Sequence, residues 1–435
     1  MLTYGGAFIF GIALGWSSPA ASRLMHSDGK FSVTSNQFAW VVAMMALGAT
    51  FGTAIAGVFR NRFGTKFTVA LAAIPTTIGW LLIIFGQNAE MFMAGRFLSG
   101  FTAGSYGILL PLYIGEIASK EIRGSLLSLF QIVLNFGEVF VFTVGHFANF
   151  LTLNIICGII PLAYVVIFMK LPESPVFLIN KDKEDDAKSS MRLLRGRNYN
   201  FDDEIADIKK NQQMNTANHT FLQHLKQKAT RHAFFLILTQ FFFFQFTGIN
   251  AVLFYTTTIF SDAKINIEPG IASIIVVSSQ IVGTAFSTVL VDRFGRKPML
   301  MISTVLMALS HISIGVYFQL KNSGTSVDSL GWLPIVSLSI FEVAFGSGIG
   351  PVSYVLLGEL FSPNAKKVIA PIGKAFNMFF AAVVGLIFPF LTEGIGSAGT
   401  FFLFAGFSVL ALIFTVIFIP ETKGKSLAEI QEMMS

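Results

Sequence analysis

The sequence predicts an all-α membrane protein with twelve transmembrane helices in two pseudo-symmetric six-helix bundles. Three observations lead to this prediction. Hydrophobic residues make up 53% of the chain and charged residues only 12%, against about 25% charged in soluble domains. The apolar residues fall into runs of roughly 20, the length that crosses a hydrocarbon core about 30 Å thick. Short motifs recur in the same order in both halves of the chain.

The predicted spans follow one another with short connections and one long polar interruption. Helices of soluble proteins average about 11 to 12 residues, so apolar runs of this length favour membrane spans. Residues 1–22 carry no charge and lack the basic flank of a signal peptide, so they supply the first span. The spans are 3–22, 37–59, 67–86, 91–117, 125–145, 150–170, 232–261, 269–291, 298–319, 331–360, 368–392 and 396–419.

The polar stretch 171–231 divides the chain into two halves. We predict an N-terminal bundle over 1–170, a cytoplasmic linker with short helices over 171–231, a C-terminal bundle over 232–419 and a cytoplasmic tail over 420–435. The charge clusters of the linker favour amphipathic helices, and a solvated linker without helices is the alternative.

The basic residues predict the orientation. If both termini are cytoplasmic, 24 of the 30 Lys and Arg residues face the cytoplasm, as the positive-inside rule requires. The remaining six are Arg23, Lys30, Lys264 and Lys321 in outer loops and Arg96 and Lys374 within spans. The net charge of +6 is therefore explained by membrane orientation, and no nucleic-acid partner is expected.

Three pairs of motifs repeat between the halves. Residues 61–66 (NRFGTK) after the second span correspond to residues 292–297 (DRFGRK) after the eighth. Glu116 precedes Arg123 by seven residues, as Glu359 precedes Lys366. The Pro-Glu-Ser-Pro sequence after the sixth span corresponds to Pro-Glu-Thr-Lys after the twelfth. Parallel six-helix repeats place a substrate site between them, near the middle of the membrane.

Charged residues at the cytoplasmic ends of these spans suggest a gate. Opposite charges there predict a latch between the two bundles, whereas a role in orientation alone is the simpler alternative. We also assign to gating Tyr255 and a glycine-rich segment of the tenth span that contains Gly350 and Pro351. The charged gating candidates are Arg62, Glu116, Arg123, Asp292, Arg293, Arg296, Glu359 and Lys366.

Uncharged polar side chains lie within several apolar spans. Amides both donate and accept hydrogen bonds, as sugar hydroxyls do, and they carry no charge. A role in tying membrane helices together is the structural alternative. The predicted substrate-binding residues are Gln131, Gln245, Asn250, Gln280 and Asn377, with Tyr354 as an aromatic contact.

Away from the ends of the predicted spans, four charged residues lie within them, where such residues are functional candidates. They are Arg96, Glu138, Glu342 and Lys374. A proton-coupled carrier needs a titratable carboxylate on its pathway, and the first span contains none. This favours passive transport, while Glu138 or Glu342 keeps proton coupling open.

These motifs resemble the sugar porter family of the major facilitator superfamily across nearly the whole chain. The matching residues are 95–97 (GRF), 111–116 (PLYIGE), 123–124 (RG) with Gln131, 172–175 (PESP), 247–250 (TGIN), 292–297 (DRFGRK) and 420–424 (PETKG). Residues 15–20 (GWSSPA) look most like the insect facilitated trehalose and glucose transporters.

The resemblance implies the major facilitator fold and uniport of a sugar by alternating access. It implies that the six substrate-binding candidates line the sugar site. It also implies that Arg96 stands where proton symporters pair an arginine with a first-span aspartate, and Ala13 occupies that position here. Phe244 replaces a glutamine of the family, and Tyr354 replaces the tryptophan of many glucose facilitators. These departures put glucose in doubt as the preferred substrate.

The predicted function is facilitative transport of trehalose or a hexose such as glucose across the plasma membrane. A proton-coupled sugar symporter and a non-transporting sugar sensor are the alternatives. We predict no enzymatic activity, because no set of nucleophile, base and acid lies outside the membrane. The expected partners are the sugar and the lipid bilayer, with no cofactor, metal or obligatory protein partner.

Overall fold

The computed structural model describes residues 2–25, 32–118, 122–196, 201–214 and 221–434, and all regular elements within these residues are helices. Backbone amides must be satisfied inside a lipid environment, and a helix achieves this within one segment. The helices of the first half are Gly5–Gly15 with Ser17–Met25 (span 1), Ser35–Phe63 (span 2), Thr65–Ile84 (span 3), Ala89–Ile117 (span 4), Arg123–Phe147 (span 5) and Phe150–Phe168 (span 6).

The second half repeats this order. Its helices are Lys228–Phe246 with Ile249–Ala263 (span 7), Pro269–Phe294 (span 8), Arg296–Asn322 (span 9), Leu333–Ser347 with Ile349–Glu359 (span 10) and Pro363–Phe418 (spans 11 and 12). Outside the spans lie the α-helices Pro175–Ile179, Glu184–Arg195, Asp202–Met214, Phe221–Lys226 and Leu427–Met434 and the 3₁₀ turns Leu2–Tyr4 and Asp328–Leu330. We call the end of the molecule that carries 171–231 the linker end.

The prediction of a twelve-helix membrane fold is confirmed. Among the described residues, ten helical segments are long and apolar enough to cross a membrane. Span 1, whose helix is interrupted at Trp16, is not one of the ten. Spans 11 and 12 count as one because the helix continues through Gly396, where a φ of 74° turns the chain. Large apolar side chains such as Phe51, Ile159 and Phe286 are more than half exposed on the outer surface, as a lipid-facing surface requires.

Two further spans are interrupted where the sequence predicts continuous segments. Span 7 breaks at Thr247 and Gly248, which has a φ of 92°. Span 10 breaks at Gly348, so the glycine-rich segment does loosen this helix. Pro351 lies in the first turn of the following helix, where a missing N–H costs no hydrogen bond. Broken spans leave backbone polar groups exposed only where they face protein or a polar pathway.

The interface between the halves is formed mainly by three pairs of spans, 1 with 7, 2 with 11 and 5 with 8. Small residues make the contact between spans 2 and 11 close, where Ala43 and Ala46 pack on Ala381 and Ala382. Such residues let membrane helices approach each other closely. The buried polar side chains of Asn135 and Thr284 also meet at this interface, between spans 5 and 8.

Candidate functional site

The central feature of the site is a chain of buried amides in the second half. Asn250 Nδ2 donates to Gln245 Oε1 at 2.6 Å, and Gln245 Nε2 donates to Asn377 Oδ1 at 3.1 Å. The Tyr354 hydroxyl lies 3.5 Å from the same Asn377 oxygen. We call these four residues the amide cluster. It joins spans 7, 10 and 11, and the break at Gly248 places Gln245 and Asn250 on two helices that meet within it.

The amide cluster and Gln280 on span 8 retain unused hydrogen-bonding groups. Asn377 Nδ2 is buried and has no partner, and neither has Gln280 Oε1 on span 8. Gln245 and Asn377 are fully buried, and Gln280 is 6% exposed. A buried polar group without a partner costs about 1 to 3 kcal/mol. One unused donor and one unused acceptor can be satisfied by a ligand that carries hydroxyl groups.

Gln131 lies on the opposite half and enters a different chain of hydrogen bonds. Its Nε2 donates to Asn135 Oδ1 at 3.1 Å, and Asn135 Nδ2 donates to Thr284 Oγ1 at 2.9 Å. Asn135 is fully buried, and its bond to Thr284 crosses from span 5 to span 8. The structure therefore brings four of the six predicted binding residues into one cluster and leaves Gln131 and Gln280 outside its hydrogen bonds.

At the linker end, Glu116 organises the charged groups of the first half. Arg60 forms an ion pair with Glu116, and the Ser174 hydroxyl donates to Glu116 Oε2 at 2.6 Å. Arg62, the candidate from the sequence, is exposed and lies over the Phe63 ring at 5.3 Å. The structure thus pairs Arg60 with Glu116, because residues two apart point about 200° from each other around a helix.

The second half has a similar ion pair, although its arginine, Arg296, corresponds to Thr65 in the repeated motif and not to Arg60. Arg296 Nη2 lies 2.8 Å from Glu359 Oε1 and 3.2 Å from Asp292 Oδ1, and the Thr422 hydroxyl donates to Glu359 Oε2 at 2.6 Å. Arg293 is exposed, and its guanidinium lies near the Phe294 ring at 6.0 Å.

The predicted latch joins the two bundles, but the structure holds both Glu116 and Glu359 within their own halves. Lys366 donates to the Gly358 carbonyl of its own half at 3.3 Å. The side chain of Arg123 lies outside the described part of the chain. In this conformation no cross-bundle ion pair involves the described gating candidates.

A second repeated arrangement lies beside these ion pairs. Glu173 accepts the backbone N–H groups of Thr65 and Lys66 at 3.1 and 3.0 Å. A Cβ at Gly64, where φ is 90°, would lie 2.5 Å from the Glu173 carboxylate. A carboxylate at a helix N-terminus is stabilised by the unpaired N–H groups and the helix dipole.

The equivalent carboxylate of the second half is Glu421. It accepts the N–H groups of Arg296 and Lys297, both at 3.0 Å, and that of Lys423 at 2.9 Å. Burial raises the pKa of Glu421, but these backbone hydrogen bonds lower it more, so the pKa lies below the usual 4.5. A Cβ at Gly295, where φ is 98°, would lie 2.6 Å from this carboxylate.

The remaining gating candidates lie on the second half. The Tyr255 hydroxyl donates to the Gly385 carbonyl at 2.9 Å. The centre of its ring lies 6.0 Å from that of Phe38 on span 2. Tyr255 therefore contacts both halves. Gly350 and Pro351 lie in the first turn after the break of span 10.

Arg96 of span 4 contacts three residues of span 1. Its guanidinium donates to the Ala13 carbonyl at 2.8 Å and to Ser17 Oγ at 3.0 Å, and it lies over the Trp16 ring at 4.9 Å. Neither contact is a carboxylate. Glu138 and Glu342 are buried, with 2% and 1% exposure, and each has one carboxyl oxygen without a partner.

Sequence reasoning missed several residues of these arrangements. Asn135 and Thr284 were detectable as further polar residues in apolar spans, and Asn135 is one helical turn from Gln131. Arg60 gave no signal that separated it from Arg62. Glu173 and Glu421 belong to the repeated motifs, but their role depends on a contact between distant segments.

The comparisons with known proteins agree with this architecture. The family model described as "Sugar (and other) transporter" matches residues 1–434. The facilitated trehalose transporter Tret1 of Polypedilum vanderplanki is 34% identical over 432 residues, covering 99% of this chain and 86% of the relative. Tret1 of Bombyx mori is 34% identical over 428 residues, covering 98% and 84%.

Solved structures show the same fold. The partially occluded inward-open conformation of the xylose transporter XylE from E. coli matches with a TM-score of 0.83 and 24% identity, covering 98% of both chains. Its inward-open conformation matches with a TM-score of 0.81, covering 99% of this chain and 98% of XylE. With the family match over nearly the whole chain, this protein belongs to the family of sugar (and other) transporters and is a multi-pass membrane protein.

Proposed function

We propose that this protein is a uniporter that carries a neutral sugar, trehalose or a hexose such as glucose, across the membrane by alternating access. The observation that carries the proposal is the amide cluster, in which Asn377 Nδ2 is a buried donor without a partner. Sugars present many hydroxyls and no charge, so a few well-placed amides recognise them. The relatives described as facilitated trehalose transporters support the same substrate class.

We assign sugar binding to the six residues that the sequence analysis predicts. Gln245, Asn250, Asn377 and Tyr354 bind the sugar directly, and Gln280 supplies an acceptor from span 8. Gln131 takes part with Asn135, through the hydrogen bonds that connect spans 5 and 8.

Passive transport is favoured over proton symport. The arginine on span 4 contacts a backbone carbonyl at Ala13 and a hydroxyl at Ser17, so no first-span carboxylate is available there to exchange a proton. The relatives are described as facilitated transporters. We therefore propose that Glu138 and Glu342 are not coupled to a proton gradient.

Alternating access requires the contacts between the halves to open on one side at a time. Away from the linker end, two contacts join the halves. Ser18 Oγ accepts a hydrogen bond from the Thr257 N–H at 3.0 Å, and His146 Nδ1 lies 3.8 Å from Glu268 Oε1. Beyond these contacts is an outer cavity of about 380 Å³ whose lining includes Arg23 and Asp262. We propose that this end is extracellular and closed in this conformation, that both termini are cytoplasmic, and that the protein lies in the plasma membrane.

The repeated charged groups regulate the opposite end in this proposal. The ion pairs of Glu116 and Glu359 hold each half rigid while the charged groups of the two halves are apart at the linker end. When the linker end closes, Arg62, Arg293, Asp292, Lys366 and Arg123 come together between the halves. Tyr255 moves with the contact between spans 2, 7 and 11, and Gly350 and Pro351 form the hinge of span 10.

The test is uptake of labelled trehalose and glucose into liposomes that contain the purified protein, with and without an imposed proton gradient. We expect saturable uptake that does not respond to the gradient and that is lost in Asn250→Ala. Gln319→Ala, which alters an exposed amide at the end of span 9, is the matched control and should transport normally. Accumulation driven by the gradient would contradict uniport, and absence of uptake for every sugar would contradict transport.

A further inference from the structure

A lysine on span 11 connects the two halves next to the amide cluster. The Lys374 ammonium donates a hydrogen bond to the Gly107 carbonyl of span 4. It lies 5.7 Å from the centre of the Tyr354 ring and 6.0 Å from that of Phe10 on span 1. Among the described residues, no carboxylate forms an ion pair with it. One carbonyl and two aromatic faces therefore stabilise this charge, and two of these three groups belong to the first half.

Gly107 makes this contact possible. A Cβ at this position would lie 3.1 Å from the Lys374 ammonium and 2.7 Å from the Phe10 ring. A methyl group 3.1 Å from the ammonium nitrogen would be closer than an ordinary van der Waals contact. A larger residue at position 107 would therefore displace either the ammonium or the aromatic ring.

The contact lies on the linker side of the amide cluster. Span 11 begins at the linker end with Pro363, so Lys374 lies one helical turn closer to that end than Asn377, on the same face of the helix. Ser18 and Thr257 join the halves on the other side of the cluster. The amide cluster is therefore enclosed between two hydrogen-bonded contacts of the halves, one on each side.

We propose that Lys374 is a positioning residue that closes the linker-side exit of the substrate site by holding span 11 against span 4. This inference rests on the proposed function, because it assigns a gate to the same site. The ammonium must leave the Gly107 carbonyl when the halves separate at the linker end. Because Lys374 also lies over Tyr354, a ligand that moves Tyr354 changes the same contact.

The test measures the distance between the halves at the linker end, which does not depend on transport. Cys157 is the only cysteine and it is buried, so Cys157→Ala gives a cysteine-free background. Spin labels at Phe63→Cys and Phe294→Cys mark the linker-end termini of span 2 in the first half and span 8 in the second half. Both side chains are exposed. Pulsed electron paramagnetic resonance of the full chain in liposomes gives the distribution of distances between them.

We expect Lys374→Met to shift this distribution toward longer distances, with about a tenfold change in the ratio of open to closed populations. This is the size expected for losing one hydrogen bond from a charged donor. Lys374→Arg keeps the charge and should retain the original distribution. Gly107→Ala should reproduce the effect of Lys374→Met from the opposite half.

The matched control is Lys297→Met. Lys297 Nζ also donates to a backbone carbonyl, that of Val416 at 2.8 Å, but both residues belong to the second half. Its removal should leave the distance distribution unchanged. Unchanged distances in both Lys374→Met and Gly107→Ala would overturn the proposal, as would an equal shift in Lys297→Met. A shift in a protein that transports no sugar would support the gate and contradict the proposed function.

Discussion

The two halves of the molecule agree at the linker end and differ in the centre. Glu116 and Glu359 each accept hydrogen bonds from one arginine and one hydroxyl. Glu173 of the first half and Glu421 of the second half each cap a helix N-terminus. In the centre, the second half supplies the amide cluster, whereas the first half supplies Gln131 and Asn135. In our proposal, the repeated parts serve the movement that both bundles share, and the parts that differ decide which substrate is bound.

The largest expected effect is on sugar uptake, and it compares a variant in the amide cluster of the second half with a variant in the first half. Asn377→Ala removes the acceptor of Gln245 and Tyr354 together with an unused donor. We expect the concentration for half-maximal sugar uptake to rise about tenfold or more, since a lost buried hydrogen bond costs about 1 to 3 kcal/mol. Asn135→Ala in the first half should have a smaller effect, because Asn135 bonds to Thr284 rather than to the cluster. Equal losses in uptake assays would show that both halves bind the sugar equally.

The next effect tests whether the two helix caps are equivalent. Gly64→Ala and Gly295→Ala each force a side chain into a positive φ and against a carboxylate. Both glycines combine a positive φ with an extended ψ, a conformation that costs other residues about 1 to 3 kcal/mol, so both variants should lower the apparent melting temperature of the purified protein. Gly57→Ala is the control, since a Cβ there contacts nothing within 4 Å. A decrease in only one variant would show that the repeat is not energetically symmetric.

A smaller effect is expected from the carboxylates of the ion pairs. Glu116→Gln and Glu359→Gln each keep a hydrogen-bonding group and lose the charge. Because both side chains are partly exposed, at 17% and 28%, the loss should be about 1 kcal/mol. This corresponds to roughly a fivefold change in the ratio of the two access states. The spin-label distances described above measure it, and a change in one variant alone would assign the gate to one half.

The smallest effect is the pH dependence of the Glu421 cap. Its folded-state pKa lies below the usual 4.5, so its contribution to stability is present above that pH and is lost as the pH falls further. The apparent melting temperature should therefore decrease below about pH 4.5, and less steeply in Glu421→Gln. Glu393→Gln, which alters an exposed carboxylate, is the control and should follow the wild-type curve. Identical curves for wild type and Glu421→Gln would refute this role of the cap.

Individual residues show which parts of the candidate site could be predicted from the sequence. Asn250 and Asn377 were identifiable because amides are rare and costly within apolar spans. The charged motifs were identifiable because they repeat. The choice between Arg60 and Arg62 was not predictable, because it depends on the rotation of span 2 relative to span 4. Nor was it predictable that Glu116 and Glu359 are bound within their own halves.

The sequence by itself determined the membrane location, the twelve helices and the two-fold repeat, because lipid admits only long apolar helices whose backbone groups are satisfied internally. The tertiary structure decided which side chains meet. It broke spans 7 and 10 to form the amide cluster, and it brought Lys374 to Gly107 across the interface between the halves. These contacts join residues far apart in the chain, and they depend on helix tilt and rotation, which are set by packing against neighbouring helices.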